Sequence, residues 1–369
     1  MALRCLVLVF AIFHSVANAA PTITYPLNSQ VPPAARVSNP FSYAFPESTF
    51  SSTLPMTYTL SSGPSWLSLD TNSRVLSGTP SVEDVGSDTV TGVPIGLTAS
   101  DSTGSVTLDA TLVVSKNPAP SLQIPATQLA SSGAFSAPST LSYYPSTPFN
   151  LTFNPGTFTG SDGSTAFSYY AVTSTNTPLP SWIQFDGTAL SFTGQSPDYQ
   201  SLIQPPQTFG IQLIASDIEG FGGASLYFDI EVGVHLLAFK NAEIVINGTV
   251  GETVSLDGLL EDLQLDGQAP KSSDIAATSA LIPSWMTFDN STLALNGTVP
   301  VDATSFNITV QATDIYGDTA EALIQVIISA PLFSKSIGDL NATAGSTFSY
   351  DLGVYLSNQS DTVLAAQIL

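Results

Sequence analysis

The groups able to do chemistry in this chain are almost all carboxylates. Asp and Glu number 29 against seven Lys and Arg, with two His and one Cys. A His-centred triad needs a nucleophile, an imidazole and an orienting acid in one place, and a zinc site needs clustered His and Cys. Neither inventory is present: His235 stands alone beside Leu236 and Leu237, and Cys5 lies in a leader expected to be removed. Counting alone leaves a glycosidase-type carboxylate pair open. The acids that stand out, however, recur at equivalent places. They are Ala99-Ser100-Asp101 with Gly104, Ala215-Ser216-Asp217 with Gly220, and Ala312-Thr313-Asp314 with Gly317. An active site is one asymmetric constellation rather than three copies of a turn. The direct reading is that Asp101, Asp217 and Asp314 organise their turns by accepting backbone N–H bonds, and that the chain is not an enzyme.

The elements that must carry these turns repeat with them. Pro64-Ser65-Trp66-Leu67-Ser68-Leu69-Asp70 returns as Pro180-Ser181-Trp182-Ile183-Gln184-Phe185-Asp186 and as Pro283-Ser284-Trp285-Met286-Thr287-Phe288-Asp289, closing on Gly78, Gly194 and Gly297. The tryptophans are 116 and 103 residues apart, one immunoglobulin-sized domain each time. Each motif reads as a short hairpin: a proline, an apolar/polar alternation, an Asp-led turn and a second strand ending at glycine. Trp66, Trp182, Trp285 and their apolar neighbours are expected to be core. With 26 Pro and 26 Gly spread along 369 residues and no long run of 3.6-residue apolar period, the chain reads as all-β.

The N-terminus reads as a secretory signal, with Arg4, an apolar run Cys5 to Phe13 and the small-x-small site Ala17-Asn18-Ala19. Its removal leaves six basic and 29 acidic residues, a net charge of −23. Such a surface disfavours nucleic acid and anionic lipid. It suits an ectodomain that repels its neighbours or collects cations, and equally one that is merely kept soluble. Asn150, Asn247, Asn290, Asn296, Asn307, Asn341 and Asn358 each begin an Asn-x-Ser/Thr sequon and become N-glycan acceptors in an exported chain. None lies in the first domain, which is therefore expected to carry the exposed protein-binding face.

Taken in order, residues 1–19 are the signal, and domains are expected over 20–117, 118–233 and 234–330. Pro118 and Pro120 mark the first linker. Each domain opens with short strands (Phe41 to Phe45, Phe149 to Phe153, Ile244 to Ile246 and Thr253 to Leu256) and closes with a long hairpin around its Ala-x-Asp turn. Leu259 to Gln268 reads as a short helix or a loop. Residues 331–369 begin a fourth unit, where Phe333, Ile337, Gly345 and Phe348-Ser349-Tyr350 echo earlier opening strands, but no fourth tryptophan follows. Such a fragment lacks most of the strands needed to close two sheets, so it is either disordered or the start of a repeat in a longer protein. Nothing after residue 20 approaches the roughly 18–20 apolar residues a membrane span requires. The product as written would be secreted.

The combination of Pro-Ser-Trp, Gly-Thr and Ala-x-Asp-x-x-Gly elements resembles the dystroglycan-type cadherin-like domain. The fold it implies is a tandem array of immunoglobulin/cadherin-like β-sandwich domains. Pro32 to Val37, Asp217 to Phe221 and Asp339 to Thr343 extend the resemblance to the ectodomain of fungal axial bud-site selection plasma-membrane proteins. That family implies a type I glycoprotein that marks the growth site and reaches septin and polarity proteins through a cytoplasmic tail absent here. Its extracellular partner would be a protein or cell-wall glycan. The cadherin resemblance also implies calcium at domain junctions, with Asp101, Asp217 and Asp314 as ligands. Ca²⁺ takes six to eight oxygens, so Glu83, Asp84, Glu219, Asp302 and Asp318 are the further candidates, whereas Lys116 beside Asn117 opposes a cation at the first junction. Related domains also occur as accessory modules of secreted hydrolases. The alternative is therefore a carbohydrate-binding or accessory fragment of a carbohydrate-active enzyme.

Overall fold

The computed structural model describes residues 19–198, 206–329, 338, 340, 341, 343, 345–347 and 349–356. The leader, Asn358 and most of the expected fourth unit lie outside these residues. Within them the chain is strands and 3-10 turns, with one helical turn, Leu259–Asp262. It divides into two compact units. The first holds the residues up to Gln123 with Pro155–Pro180 and Ile211–Leu226, and the second holds Ile124–Asn154, Ser181–Gly210 and the residues from Tyr227 onward.

In the first unit a four-stranded sheet runs Ala35–Arg36, Gly104–Ser115, Val90–Asp101, Thr57–Ser62 in spatial order. A three-stranded sheet runs Phe41–Ala44, Val75–Gly78, Leu67–Asp70. Alternation decides which side chains go inward: Phe41 and Tyr43 are buried while Ser42 and Ala44 face water. Tyr43, Leu67 and Leu76 from one sheet share a core with Ile95, Leu97, Leu108 and Leu112 from the other. Each such side chain contributes about 1.5–3 kcal/mol on burial. Gln30, fully buried, is satisfied by giving its amide to Tyr25 O and Thr49 Oγ1 and accepting from Tyr43 Oη. Ala35–Arg36 is short and parallel, with Arg36 opposite Ser115 at the end of the long hairpin. The same unit contains Ser168–Thr173, antiparallel to residues 211–216.

In the second unit Ala134–Ser136 pairs with Thr140–Tyr143, which runs parallel to residues 229–232. Pro148–Thr152, Ser191–Gln195 and Ile183–Asp186 form a three-stranded sheet. Further along, Glu243–Thr249, Thr319–Ser329, Phe306–Asp314 and Ile275–Ala280 form a four-stranded sheet in that order, and Thr253–Leu256, Leu295–Thr298 and Met286–Phe288 a three-stranded one. Their buried faces carry Ile308, Val310, Ile324 and Val326, and Val254, Met286 and Leu295. The Leu-rich stretch at 259–268 divides its work: one helical turn, then a strand, Leu263–Leu265, that pairs with Leu237–Phe239. Sequence reading had foreseen only a helix or a loop there.

The three tryptophan hairpins share one geometry. Asp70, Asp186 and Asp289 each turn Oδ1 back onto the N–H two residues on, at 3.0, 2.8 and 2.8 Å. The residue four before each closing glycine (Arg74, Leu190, Leu293) is left-handed, with φ of 57°, 50° and 58°. The glycines follow from close approach. A Cβ on Gly78 or Gly194 would overlap the carbonyl oxygen of Trp66 or Trp182, and on Gly297 it would lie 2.8 Å from that of Trp285. The tryptophans themselves are half-buried rather than core; Leu67, Ile183 and Met286, one residue on, are the buried ones. Trp66 and Trp182 meet Phe41 and Phe149 edge-on, with centroids 5.8 and 5.9 Å apart. Val254 holds the equivalent register opposite Gly297, and Trp285 packs on Phe306 instead.

Candidate functional sites at the carboxylate turns

The three Ala-x-Asp turns have similar sequences and different chemistry. In the first, Asp101 faces Gly104 across the end of a hairpin. Its Oδ1 accepts from Thr103 N at 2.7 Å, Thr103 Oγ1 at 2.6 Å and Gly104 N at 3.1 Å, and its Oδ2 from Ser52 Oγ at 2.6 Å. The Ser52 and Thr103 hydroxyls, with those backbone bonds, hold its pKa down at about 2. These bonds let the carboxylate organise its own turn.

The second turn is held by a cation from far away in sequence. Arg36 donates Nη2 to Asp217 Oδ1 at 2.6 Å and Nη1 to Oδ2 at 2.9 Å, with Nη1 also reaching Asn117 O at 3.1 Å. The side chains are 7% and 22% exposed, so solvent screens the pair little. Backbone bonds fix the surroundings: Ala34 N donates to Gly222 O at 2.8 Å, and Gly222 N to Pro32 O at 2.9 Å. Gly220, at φ 82°, gives its N–H to Tyr170 Oη. Arg36 is absent from the ligand set read from sequence. The available signal was its rarity, one of six basic residues in the mature chain, inside a segment already singled out.

In the third turn Asp314 Oδ1 accepts from Tyr316 N and Asp318 N, both at 2.9 Å. Asp314 and Asp318 are 2% and 4% exposed, and the Oδ2 of each is buried without a partner among the described residues. The counterpart of Arg36 is missing. Arg36-Val37-Ser38 before Phe41 aligns with Tyr144-Pro145-Ser146 before Phe149, and Ser38 and Ser146 are both left-handed at φ 61° and 56°. A phenol therefore stands where the first repeat has a guanidinium. Burial pushes the Asp318 carboxyl up to about 7, reinforced by the charges of Asp314 and Glu231. Glu231 is itself raised by burial, although Ser142 Oγ donates to it at 3.1 Å.

Beside this pair lies the one histidine among the described residues. His235 stacks on Tyr316, with centroids 3.7 Å apart and planes 14° off parallel, and its Nδ1 lies 2.9 Å from Asp266 Oδ2. Asp266 Oδ1 accepts from Leu236 N and Tyr144 Oη, each at 2.9 Å. Burial pushes the Asp266 pKa up, and these hydrogen bonds outweigh it, leaving it below the usual aspartate range. They also help lift Tyr144, which burial and Asp266 hold at about 12. A cleft of about 440 Å³ opens here, lined by Phe135, Tyr144, Phe239, Lys240, Gln264 and Asp266 among others.

The residues expected to ligate calcium lie in three different settings. Asp101 and Asp217 spend their oxygens on the chain's own donors. Asp314 and Asp318 offer two free buried oxygens against the six to eight Ca²⁺ takes. Asp84 is occupied capping Ser81, and Glu83, Glu219 and Asp302 are exposed. Among the described residues no three or more His, Cys, Asp or Glu are grouped to hold a metal ion. The sequons behave uniformly: Asn150, Asn247, Asn290, Asn296, Asn307 and Asn341 are all exposed. No helix among the described residues is long and apolar enough to cross a membrane.

Comparison with known proteins adds the family. Over 354 residues the chain is 35% identical to "Axial budding pattern protein 2" of Saccharomyces cerevisiae (strain ATCC 204508 / S288c), covering 90% of this chain and 42% of that protein. The chain thus spans about two-fifths of the length of this curated relative. Among solved structures, Drosophila N-cadherin EC1-3 aligns over 82% of this chain and 100% of its own at 11% identity and a TM-score of 0.26. The endo-fucoidan hydrolase MfFcnA4 from glycoside hydrolase family 107 aligns over 81% of this chain and 43% of its own at 20% identity and a TM-score of 0.22. At such scores neither bears on function. The family model "He_PIG: Putative Ig domain" matches residues 20–115 and 239–329, half of the chain, and the chain belongs to that family.

Proposed function

We infer that this chain is the extracellular, non-catalytic binding portion of an exported surface glycoprotein of the axial budding type. The observation that carries the reading is the 35% identity with Axial budding pattern protein 2, sustained over 354 residues rather than confined to one repeat. The turns support it. Asp101 and Asp217 are committed to backbone donors, hydroxyls or a guanidinium, as befits rigid modules that present a surface. Its counterpart would be an extracellular protein or cell-wall glycan, and any route to intracellular polarity proteins would run through regions of the relative that this chain does not span.

The test is a chimera. Residues 20–329 replace the aligned region of the yeast relative in cells lacking that protein, and bud-site choice is scored alongside surface staining. Restoration of the axial pattern is expected. A chimera that reaches the surface and leaves budding unpatterned overturns the reading.

A second reading, carbohydrate binding, has the cleft at Tyr144 in its favour, since aromatic faces beside Lys240, Gln264 and Asp266 suit a hydroxyl-rich ligand. A glycan array distinguishes it: binding lost in Tyr144→Ala supports it, and silence of the parent chain removes it.

A further inference from the structure

We propose that the outer face of the sheet Glu243–Thr249, Thr319–Ser329, Phe306–Asp314 is covered by the chain's own N-glycans, carried on Asn247 and Asn307. The inference rests on the exported-glycoprotein reading and goes beyond it in assigning two sequons a structural task.

Strand alternation sorts these residues. Ile308, Ile324, Val326 and Gly248 face the core. The intervening residues face outward, and there an apolar patch is left: Val245 is 54% exposed and Ile327 46%, with Leu323 half-buried on the same face. The register places the sequons around it. Asn247 lies directly opposite Ile327 and two residues from Val245 on its own strand. Asn307 lies opposite Gln325, which in turn faces Val245, and the next outward residue, Thr309, lies opposite Leu323. Neighbouring strands are about 4.8 Å apart, so sugars on either asparagine rest against these apolar side chains. Both asparagines are exposed, and Thr249 and Thr309 complete their sequons.

Two features argue for glycan rather than a further piece of this chain. The opposite end of the same face is already engaged: Gln311 Nε2 donates to Glu321 Oε1, Glu321 N to Ser136 Oγ, and Ala137 N to Glu321 O. Among the described residues, the apolar side chains of this face are uncovered at the end where the sequons stand. In addition, Glu243–Thr249 is an edge strand of the four-stranded sheet. An open edge beside exposed Val and Ile is a template for pairing with another chain. A branched, hydrated sugar at Asn247 blocks that pairing sterically.

The chain is expressed in a secreting eukaryotic host and its glycopeptides are mapped by mass spectrometry. Asn247→Gln/Asn307→Gln is then compared with Asn290→Gln/Asn296→Gln for anilinonaphthalene sulfonate fluorescence and sedimentation. The expected result is glycan at Asn247 and Asn307, with a rise in dye fluorescence and self-association only in the first variant. Adding Val245→Thr and Ile327→Thr to that variant returns both to the parental level. Unmodified Asn247 and Asn307 beside glycosylated sequons elsewhere, or equal behaviour of the two variants, overturns this inference alone. Absence of glycan from every sequon overturns the exported-glycoprotein reading with it.

Discussion

Arg36 and Asp217, 181 residues apart in the chain, meet as a bidentate ion pair with N–O distances of 2.6 and 2.9 Å. The guanidinium engages both oxygens of the Asp217 carboxylate. A group that stays charged across the physiological range thereby neutralises the acid of this turn in bidentate geometry.

Breaking this pair from one side is expected to be worse than removing it whole. Arg36→Met leaves the partly exposed Asp217 without its cation, and Asp217→Asn leaves a 7% exposed guanidinium without its counterion. Each single change is expected to cost about 2–3 kcal/mol, below the full cost of stranding a completely buried charge. Arg36→Met/Asp217→Asn is expected to cost less than the two combined, a coupling that denaturant midpoints of the four chains measure. Calcium is expected to leave the parental Tm unchanged through this turn. A calcium-induced rise that Asp217→Asn abolishes would contradict the assignment.

Asp318 makes one part of the stability fall with rising pH. Its carboxyl, raised from 3.8 to about 7, holds a proton in the fold that the unfolded chain has already released. The folded state binds more protons between those values, so this contribution is present below about pH 4, declines as pH rises toward 7, and is flat above. Asp318→Asn mimics the neutral form. Its Tm relative to the parent is expected to climb between pH 5 and pH 8, and a difference constant with pH would refute the account.

Tyr144→Arg places a guanidinium at the register position that Arg36 occupies in the first repeat. Opposite charge near Asp318 favours its ionised form. The variant is expected to lose the acid-favoured stability just described and to gain stability at pH 8. Thermal unfolding at pH 5 and pH 8 reads both effects.

Gly78→Ala and Gly194→Ala are expected to destabilise by about 3 kcal/mol or more, because the new Cβ collides with a tryptophan carbonyl that the hairpin cannot move. Gly297→Ala, with its nearest contact at 2.8 Å and a methionine side chain able to yield, is expected to cost less. Chemical denaturation of the three variants gives the order directly.

Much of this architecture is written locally. The hairpins at Trp66, Trp182 and Trp285, the alternation in Phe41–Ala44 and the strands flanking Asp101, Asp217 and Asp314 were legible because a period of two and a turn of a few residues are complete within a short stretch. The glycines were visible as a recurrence, although only the backbone showed what they make room for. The half-burial of the tryptophans was not visible, since a large apolar side chain reads as core until the rim of the sandwich is located.

What each carboxylate does was decided by the tertiary structure. Asp101, Asp217 and Asp314 look alike in sequence, yet one is closed by Ser52, one by Arg36, and one shares a dry site with Asp318 near Glu231. The exposed patch at Val245 and Ile327 likewise emerged only once strand register set Asn247 and Asn307 beside it. A turn closes its hydrogen bonds within about five residues, so its sequence suffices to specify it. The partner and the dielectric surroundings of a charge depend on which distant segments pack against it, and no local pattern records that.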